Sequence, residues 1–219
     1  MFESKYSKVL TVILVIVIVA IIGLLGFLAY DYYQNYIVTK DTSDFVDNFQ
    51  GDVTDGEAKD EGVANADGNG LLDLKDAETG SGTTKRRTYK GFGVLGTMEI
   101  PAINFSYPVL EKVTKKSIET AVAFLYGTGL NQPGNSVIIG HNYRNGLFFS
   151  NNKKLNIGDK IYITDEEGKK LTYTIYNKFE TTPEDTSFYQ RDTGGKPEVT
   201  LSTCNDNSSA RLIIFAKAE

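Results

Sequence analysis

The sequence predicts a mainly β protein: a closed or nearly closed β-barrel of about eight strands with one or two short helices, preceded by one transmembrane helix and a flexible spacer. Three observations support this prediction. The chain of 219 residues contains 13 Tyr and 12 Phe, with many Thr, Val and Ile, and these residue types favour strands. A long uncharged apolar stretch lies near the N-terminus. Short alternating segments separated by turn residues fill the C-terminal part.

Composition narrows the classes of function. The formal net charge of −5 argues against a nucleic-acid partner. A single cysteine cannot form an internal disulfide, so the fold must depend on its apolar core. The only histidine, His141, excludes a poly-histidine metal site and leaves one imidazole for acid–base chemistry.

Residues 9–30 form the predicted transmembrane anchor. They carry no charge and exceed the about 20 apolar residues that cross a bilayer. A cleaved signal peptide has a shorter apolar region and a small-residue cleavage site, and neither is present. Lys5 and Lys8 precede the span and acids follow it, so residues 1–8 are predicted to be cytoplasmic and the rest extracellular. Four tyrosines are predicted to form an aromatic belt at the outer interface: Tyr30, Tyr32, Tyr33 and Tyr36.

Residues 31–88 are predicted to be an extracellular spacer. From about Asp41 to Arg87 the sequence is acidic and poor in apolar residues, so it is expected to be flexible. Within it, residues 65–76 have the spacing of an EF-hand calcium loop and resemble the loops of dockerin modules. Two readings stay open, a calcium site and an acidic linker of similar composition, and no other cofactor is expected. The oxygen-bearing residues of this loop are Asn65, Asp67, Asn69, Asp73 and Asp76.

The folded barrel is predicted to span residues 89–219. Most of its segments alternate apolar and polar residues, as expected for strands. Residues 114–122 have a helical pattern with Thr114 as the N-cap. Residues 165–168 are the turn of a hairpin, and residues 180–197 are a long polar connection. The predicted strands are 93–100, 105–110, 136–140, 157–164, 170–177, 198–204 and 211–215.

The last two predicted strands bring a cysteine close to a cation. Cys204 ends one strand, a short polar turn follows, and Arg211 opens the next strand. An antiparallel pair with so short a loop places these two side chains within a few ångströms. A fixed positive charge favours the thiolate, which is the nucleophilic form. His141 also ends a predicted strand, although each residue taken singly also fits a structural role.

Together these motifs resemble the sortases, membrane-anchored cysteine transpeptidases of Gram-positive cell surfaces. The resemblance covers roughly residues 90–219, behind the predicted anchor. The matching segments are Thr200-Leu-Ser-Thr-Cys204, Ile139-Gly140-His141, Arg211-Leu-Ile-Ile and Gly96-Thr-Met-Glu-Ile-Pro101.

The resemblance implies an eight-stranded barrel and a two-step acyl transfer. Cys204 would attack the Thr–Gly carbonyl of an LPXTG-like sorting signal, and an amine of a peptidoglycan precursor would resolve the thioacyl enzyme. His141 would serve as acid and then base, and Arg211 would hold the substrate carbonyls or the oxyanion. Three further residues are predicted to contact substrate: Thr203, Ser202 and Asn142. The implied partners are secreted proteins with such signals, a cell-wall amine and the membrane.

The resemblance also frames the subclass and the alternatives. The sequence of the Thr200–Cys204 motif and the single predicted anchor favour a sortase of class A, B or D. Residues 178–196 are expected to bind the sorting motif and determine which motif is accepted. Two other functions stay open. One is a catalytically silent extracellular barrel that binds a partner. The other is a cysteine protease that hydrolyses peptides without transfer.

Overall fold

A computed structural model describes residues 5–54 and 87–219. The calcium-loop-like segment 65–76 lies outside the described residues, so calcium binding stays a prediction. Two helices and nine strands are described, with short 3₁₀ turns at 101–103 and 149–154. The elements are α1 (Lys5–Thr54), β1 (Thr88–Tyr89), β2 (Phe92–Ile100), β3 (Phe105–Leu110), α2 (Lys115–Ile118), β4 (Val122–Tyr126), β5 (Gly134–Ile139), β6 (Lys160–Asp165), β7 (Lys170–Thr181), β8 (Pro197–Cys204) and β9 (Arg211–Ala218).

The closed barrel contains eight strands, as the sequence predicts. Its order is β2-β3-β4-β5-β8-β9-β7-β6, and β6 pairs back with β2 to close the ring. The two-residue β1 is added to β2 outside this ring. Two neighbouring pairs are parallel, β3 with β4 and β5 with β8, and the others are antiparallel. Closure pairs both edges of every long strand and leaves no exposed edge among them.

One end of the barrel collects the ends of β5, β7 and β8 and the start of β9. The register fixes this arrangement, because Ile139 pairs with Ser202, Cys204 pairs with Arg211, and Arg211 pairs with Thr181. We call it the active-site end. The β6–β7 hairpin at residues 166–169 projects from the opposite end.

The helix in the barrel domain is shorter than predicted. α2 ends at Ile118, and β4 begins at Val122, which the sequence prediction had included in the helix. The N-cap prediction is confirmed: Thr114 accepts from the Ser117 amide at 3.0 Å, and Ser117 accepts from the Thr114 amide at 2.8 Å. The sequence analysis did not predict the short strand β4. Its five residues come soon after the helical pattern, and no turn residues separate the helix from the strand.

The N-terminal helix is longer than predicted. It contains an apolar window of mean hydropathy 3.3 that is entirely exposed, and it is long and apolar enough to cross a membrane. The helix then continues to Thr54, so the prediction of a flexible spacer is wrong for residues 41–54. The reason is a buried or half-buried face formed by Val38, Thr42, Val46 and Phe49. The spacing of these residues places them on one side of the helix. This side packs against the barrel and stabilises an otherwise acidic segment.

Candidate active site

Cys204 and Arg211 face each other across the last strand pair. They are register partners in β8 and β9, and Nη1 of Arg211 donates to Sγ of Cys204 at 2.7 Å. Cys204 is a free cysteine and is half-buried. Asn205 shapes the turn between the strands, since its Oδ1 accepts from the amides of Ser209 and Ala210 at 3.0 and 3.3 Å. The short turn therefore holds a guanidinium against the thiol.

His141 lies beside this pair because β5 and β8 run parallel. Ile139 pairs with Ser202, and the Gly140 amide continues the ladder to the Ser202 carbonyl at 3.3 Å. Oγ1 of Thr203 donates to the Gly140 carbonyl at 2.7 Å, and this bond is buried. The ends of the two strands are thus joined by hydrogen bonds one residue before His141 and one residue before Cys204.

Gly140 is required by close packing. A Cβ at this position would lie 2.8 Å from Cγ1 of Val122 and 2.9 Å from Cδ2 of Phe149. Such distances are too short for carbon atoms in van der Waals contact. The absence of a side chain lets β5 reach the point where His141 leaves the barrel.

A cavity of about 480 Å³ brings the three predicted residues together. Strands β4, β5, β8 and β9 form one part of its wall, and the β7–β8 loop (residues 182–196) forms another. The lining is mixed, with a thiol, an imidazole and a guanidinium beside apolar and aromatic side chains. The lining residues are Ile118, Leu125, Ile139, Gly140, His141, Pro183, Asp185, Phe188, Tyr189, Ser202, Thr203, Cys204 and Arg211.

The three residues predicted to contact substrate have different positions. Ser202 and Thr203 line the cavity, but both are buried and the Thr203 hydroxyl is used by Gly140. Asn142 is held within the protein: its Nδ2 donates to the Cys204 carbonyl at 3.1 Å and to Oδ1 of Asp206 at 3.1 Å. These bonds use both amide hydrogens and tie the His141 loop to the end of β8. A substrate contact for Asn142 stays a prediction.

Asp206 extends this link to a third segment. Oδ2 of Asp206 pairs with Nζ of Lys153 at 2.6 Å, in the 3₁₀ turn 149–154. The hydrogen bond from Lys153, followed by the one from Asn142, lowers the pKa of the Asp206 carboxyl below its usual value. The carboxylate therefore stays ionised and paired at neutral pH.

The sequence analysis missed the residues that fix the β7–β8 loop. Nδ2 of Asn135, on β5, donates to the carbonyls of Phe188 and Tyr189 at 3.0 and 2.9 Å. Its Oδ1 accepts from Nη2 of Arg191 at 2.9 Å and from Oγ1 of Thr200 at 2.8 Å. One buried amide thus positions two aromatic residues of the cavity wall. No local pattern marks it, because its partners lie more than 50 residues away.

Arg191 completes this loop anchor. Nη1 of Arg191 donates to Oε2 of Glu198 and to the Tyr176 hydroxyl, each at 2.5 Å. The Tyr176 hydroxyl also donates to Glu198, at 2.7 Å. The guanidinium carbon lies 3.8 Å from the centre of the Phe215 ring. The loop is therefore fastened by a largely buried ion pair that stacks on the barrel.

Metal ligands do not cluster in the parts of the chain that the structure describes. Within residues 5–54 and 87–219, no group of three or more His, Cys, Asp and Glu side chains could hold a metal ion.

Known proteins share this sequence pattern and fold. A family model described as the sortase domain matches residues 98–219. The chain belongs to the sortase family. The match covers most of the barrel and includes every residue of the candidate active site.

Two curated sortases are similar in sequence. Sortase A of Bacillus anthracis is 32% identical over 124 residues, which is 55% of this chain and 58% of that protein. Sortase A of Streptococcus agalactiae serotype III (strain NEM316) is 27% identical over 133 residues, which is 58% of this chain and 53% of that protein. The chain thus spans little more than half the length of these relatives.

Solved sortase structures share the barrel. Sortase A from Corynebacterium diphtheriae matches with a TM-score of 0.53 and 29% identity, over 58% of this chain and 61% of that one. A Clostridium perfringens structure described as a Sortase D5 transpeptidase matches with a TM-score of 0.53 and 28% identity, over 58% of this chain and 79% of that one. The sequence-based recognition of the family is therefore confirmed.

Proposed function

We propose that this sortase is a cysteine transpeptidase that cleaves an LPXTG-like sorting signal between Thr and Gly and joins the new carboxyl end to a cell-wall amine. One observation carries the proposal. Arg211 donates to the Cys204 sulfur at 2.7 Å, and both residues line one cavity with the only histidine. Family membership supports the same reaction class.

In the first step, the Cys204 thiolate attacks the threonine carbonyl. A sulfur–carbon bond forms, and the carbonyl oxygen becomes an oxyanion. A guanidinium is a cation with several N–H donors, so Arg211 stabilises this oxyanion. His141 gives a proton to the glycine amine as the peptide bond breaks, which leaves a thioacyl enzyme.

In the second step, an incoming primary amine attacks the thioester. His141 takes a proton from this amine, and the Cys204 thiolate leaves. A new amide bond forms, and the enzyme returns to its starting state. The walls formed by Phe188, Tyr189 and Pro183 would contact the sorting motif, in agreement with the expectation that residues 178–196 read it.

The anchor fits the same function. With the basic residues Lys5 and Lys8 on the cytoplasmic side, α1 would place the barrel outside the cell, where exported proteins and peptidoglycan precursors meet. Protease accessibility of the barrel on intact cells tests this orientation. Cleavage only after the cells are opened would contradict it.

The activity is tested with the full chain in detergent, an LPXTG-type peptide and a primary amine. We expect a thioacyl adduct on Cys204 by mass spectrometry and an amine-containing product. Cys204→Ala should form neither, and a folded Cys204→Ala protein has unchanged near-ultraviolet circular dichroism. Release of the peptide without capture of the amine would support a hydrolytic protease instead. Binding of the peptide without any cleavage would support the silent binding module.

A further inference from the structure

The long helix first meets the barrel at the loop that carries the histidine. Nδ2 of Asn35 donates to the Asn145 carbonyl at 3.4 Å, and Nδ2 of Asn145 donates to Oδ1 of Asn35 at 3.4 Å. Asn145 belongs to residues 142–147, which directly follow His141, and we call this segment the His141 loop. The first contact of α1 is therefore at the active-site end.

The later contacts of α1 lie progressively farther from that end. Thr39 and Thr42 lie next to the Tyr107 hydroxyl in the middle of β3, and this hydroxyl accepts from the Phe148 amide at 3.4 Å. Beyond them, the Phe45 ring lies 5.0 Å from the Tyr89 ring, between centroids, and the Tyr89 hydroxyl also donates to Oδ2 of Asp41 at 2.7 Å. Tyr89 is in β1, which pairs with the start of β2, away from the active-site end.

This order of contacts determines which end of the barrel faces the membrane. The helix passes the His141 loop first and reaches β1 last, so it approaches the barrel from the active-site end. Because the apolar segment precedes residue 35 in the same helix, the membrane lies on that side. The β6–β7 hairpin points the opposite way.

The distance from the bilayer follows from helix geometry. The apolar segment ends at Tyr30, and five further residues of continuous helix to Asn35 add about 7.5 Å. The headgroup layer on each side of a bilayer is about 5 to 8 Å thick, given about 30 Å of hydrocarbon and about 40 to 45 Å in total. Asn145 therefore lies at the level of the headgroups, where exposed Tyr32, Tyr33 and Tyr36 form a belt.

We propose that the His141 loop rests on the lipid headgroups of the bilayer that holds α1, so that the active-site cavity opens at the membrane surface. Tyr143 is 44% exposed and Arg144 is exposed, and this pairing of residue types suits an interface with headgroups. The Tyr143 ring also lies 4.8 Å from the His141 ring, between centroids. Given the proposed function, the cavity takes peptide segments and amines that are presented close to the bilayer.

Single tryptophans test the position of the loop directly, because the chain contains no native Trp. Tyr143→Trp marks the His141 loop. Glu167→Trp is the matched control in the exposed β6–β7 hairpin, which the 12 residues of β7 separate from the active-site end by ~36 Å measured along that strand. Each full-length variant is reconstituted in vesicles whose headgroups carry a nitroxide quencher. We expect loss of fluorescence for Tyr143→Trp and unchanged fluorescence for Glu167→Trp. Equal quenching, or quenching of the control alone, would overturn the proposal.

A helical insert separates this proposal from the proposed activity. A polar insert of about seven residues after Tyr33, roughly two turns, raises the barrel by ~10 Å and nearly preserves its rotation. The insert should abolish the quenching of Tyr143→Trp and slow cleavage of a peptide tethered to the vesicle by a short linker. Cleavage of the same peptide in solution should not change. Equal rates on tethered peptide before and after insertion would refute presentation at the surface, whereas absence of cleavage in every arm would refute the activity alone.

Discussion

The anchor of the β7–β8 loop predicts a measurable loss of stability when Arg191 is replaced by Met. The side chains of Arg191 and Glu198 are 15% and 11% exposed, so the ion pair is largely buried. Removing one partner of such a pair costs about 3 to 5 kcal/mol, mainly because the other charge stays buried. Methionine keeps apolar contact with Phe215, and Tyr176 still donates to Glu198. We therefore expect the lower value, about 3 kcal/mol, and a melting temperature lower by about 10 °C.

The double variant Arg191→Met with Glu198→Gln is the matched control. It removes the unpaired charge, so it should recover about 2 kcal/mol of the loss. Urea unfolding of the full-length protein, followed by near-ultraviolet circular dichroism, measures all the variants. In the single variant, KM for the sorting peptide should rise more than kcat falls, because Phe188 and Tyr189 lose part of their support. If the single and double variants were equally stable, the account of Arg191 as the partner of a buried charge would be wrong.

Three further predictions concern the junction between β5 and β8. Thr203→Val removes the buried hydrogen bond to Gly140 and should lower the free energy of unfolding in urea by about 1 to 2 kcal/mol. Thr203→Ser keeps the hydroxyl and should retain most of this free energy. Equal stability of the two variants would contradict the role of the hydroxyl. Gly140→Ala should lower the free energy of unfolding by about 1 to 3 kcal/mol and lower kcat, because the new methyl group displaces Val122 or Phe149. A fully active and stable variant would show that the end of the strand can shift freely. The pKa of Asp206 is lowered, so its interactions are complete above the usual Asp value and are lost only as pH falls through the lower folded value. Asp206→Asn should therefore reduce kcat by the same factor at pH 6 and pH 8, and a factor confined to one pH would contradict this.

Sequence patterns predicted the elements whose signals are local. The alternation in residues 198–204 and the short polar turn before Arg211 identified β8, β9 and the contact between the thiol and the guanidinium. The same reasoning failed for the second half of α1. Its buried face is spread over about three turns among acidic residues, so the average composition resembles a linker although the spacing is helical.

The loop anchor could not be predicted for a different reason. Asn135 and Arg191 are polar residues outside any motif, and their partners are distant in sequence. Only the parallel pairing of β5 with β8 brings Asn135 next to Thr200 and Arg191. Such networks depend on strand order, which alternation alone does not determine.

The pairing of β5 with β8 also has a consequence for folding. The Thr203–Gly140 bond joins residues that are 63 positions apart, and the intervening chain contributes β6 and β7 to the barrel. Contacts of such large sequence separation form late because loop closure must precede them. The thiol therefore meets its imidazole only when the barrel is nearly complete. A chain that has not finished folding therefore carries Cys204 away from His141, and the cavity that both residues line forms together with the finished fold.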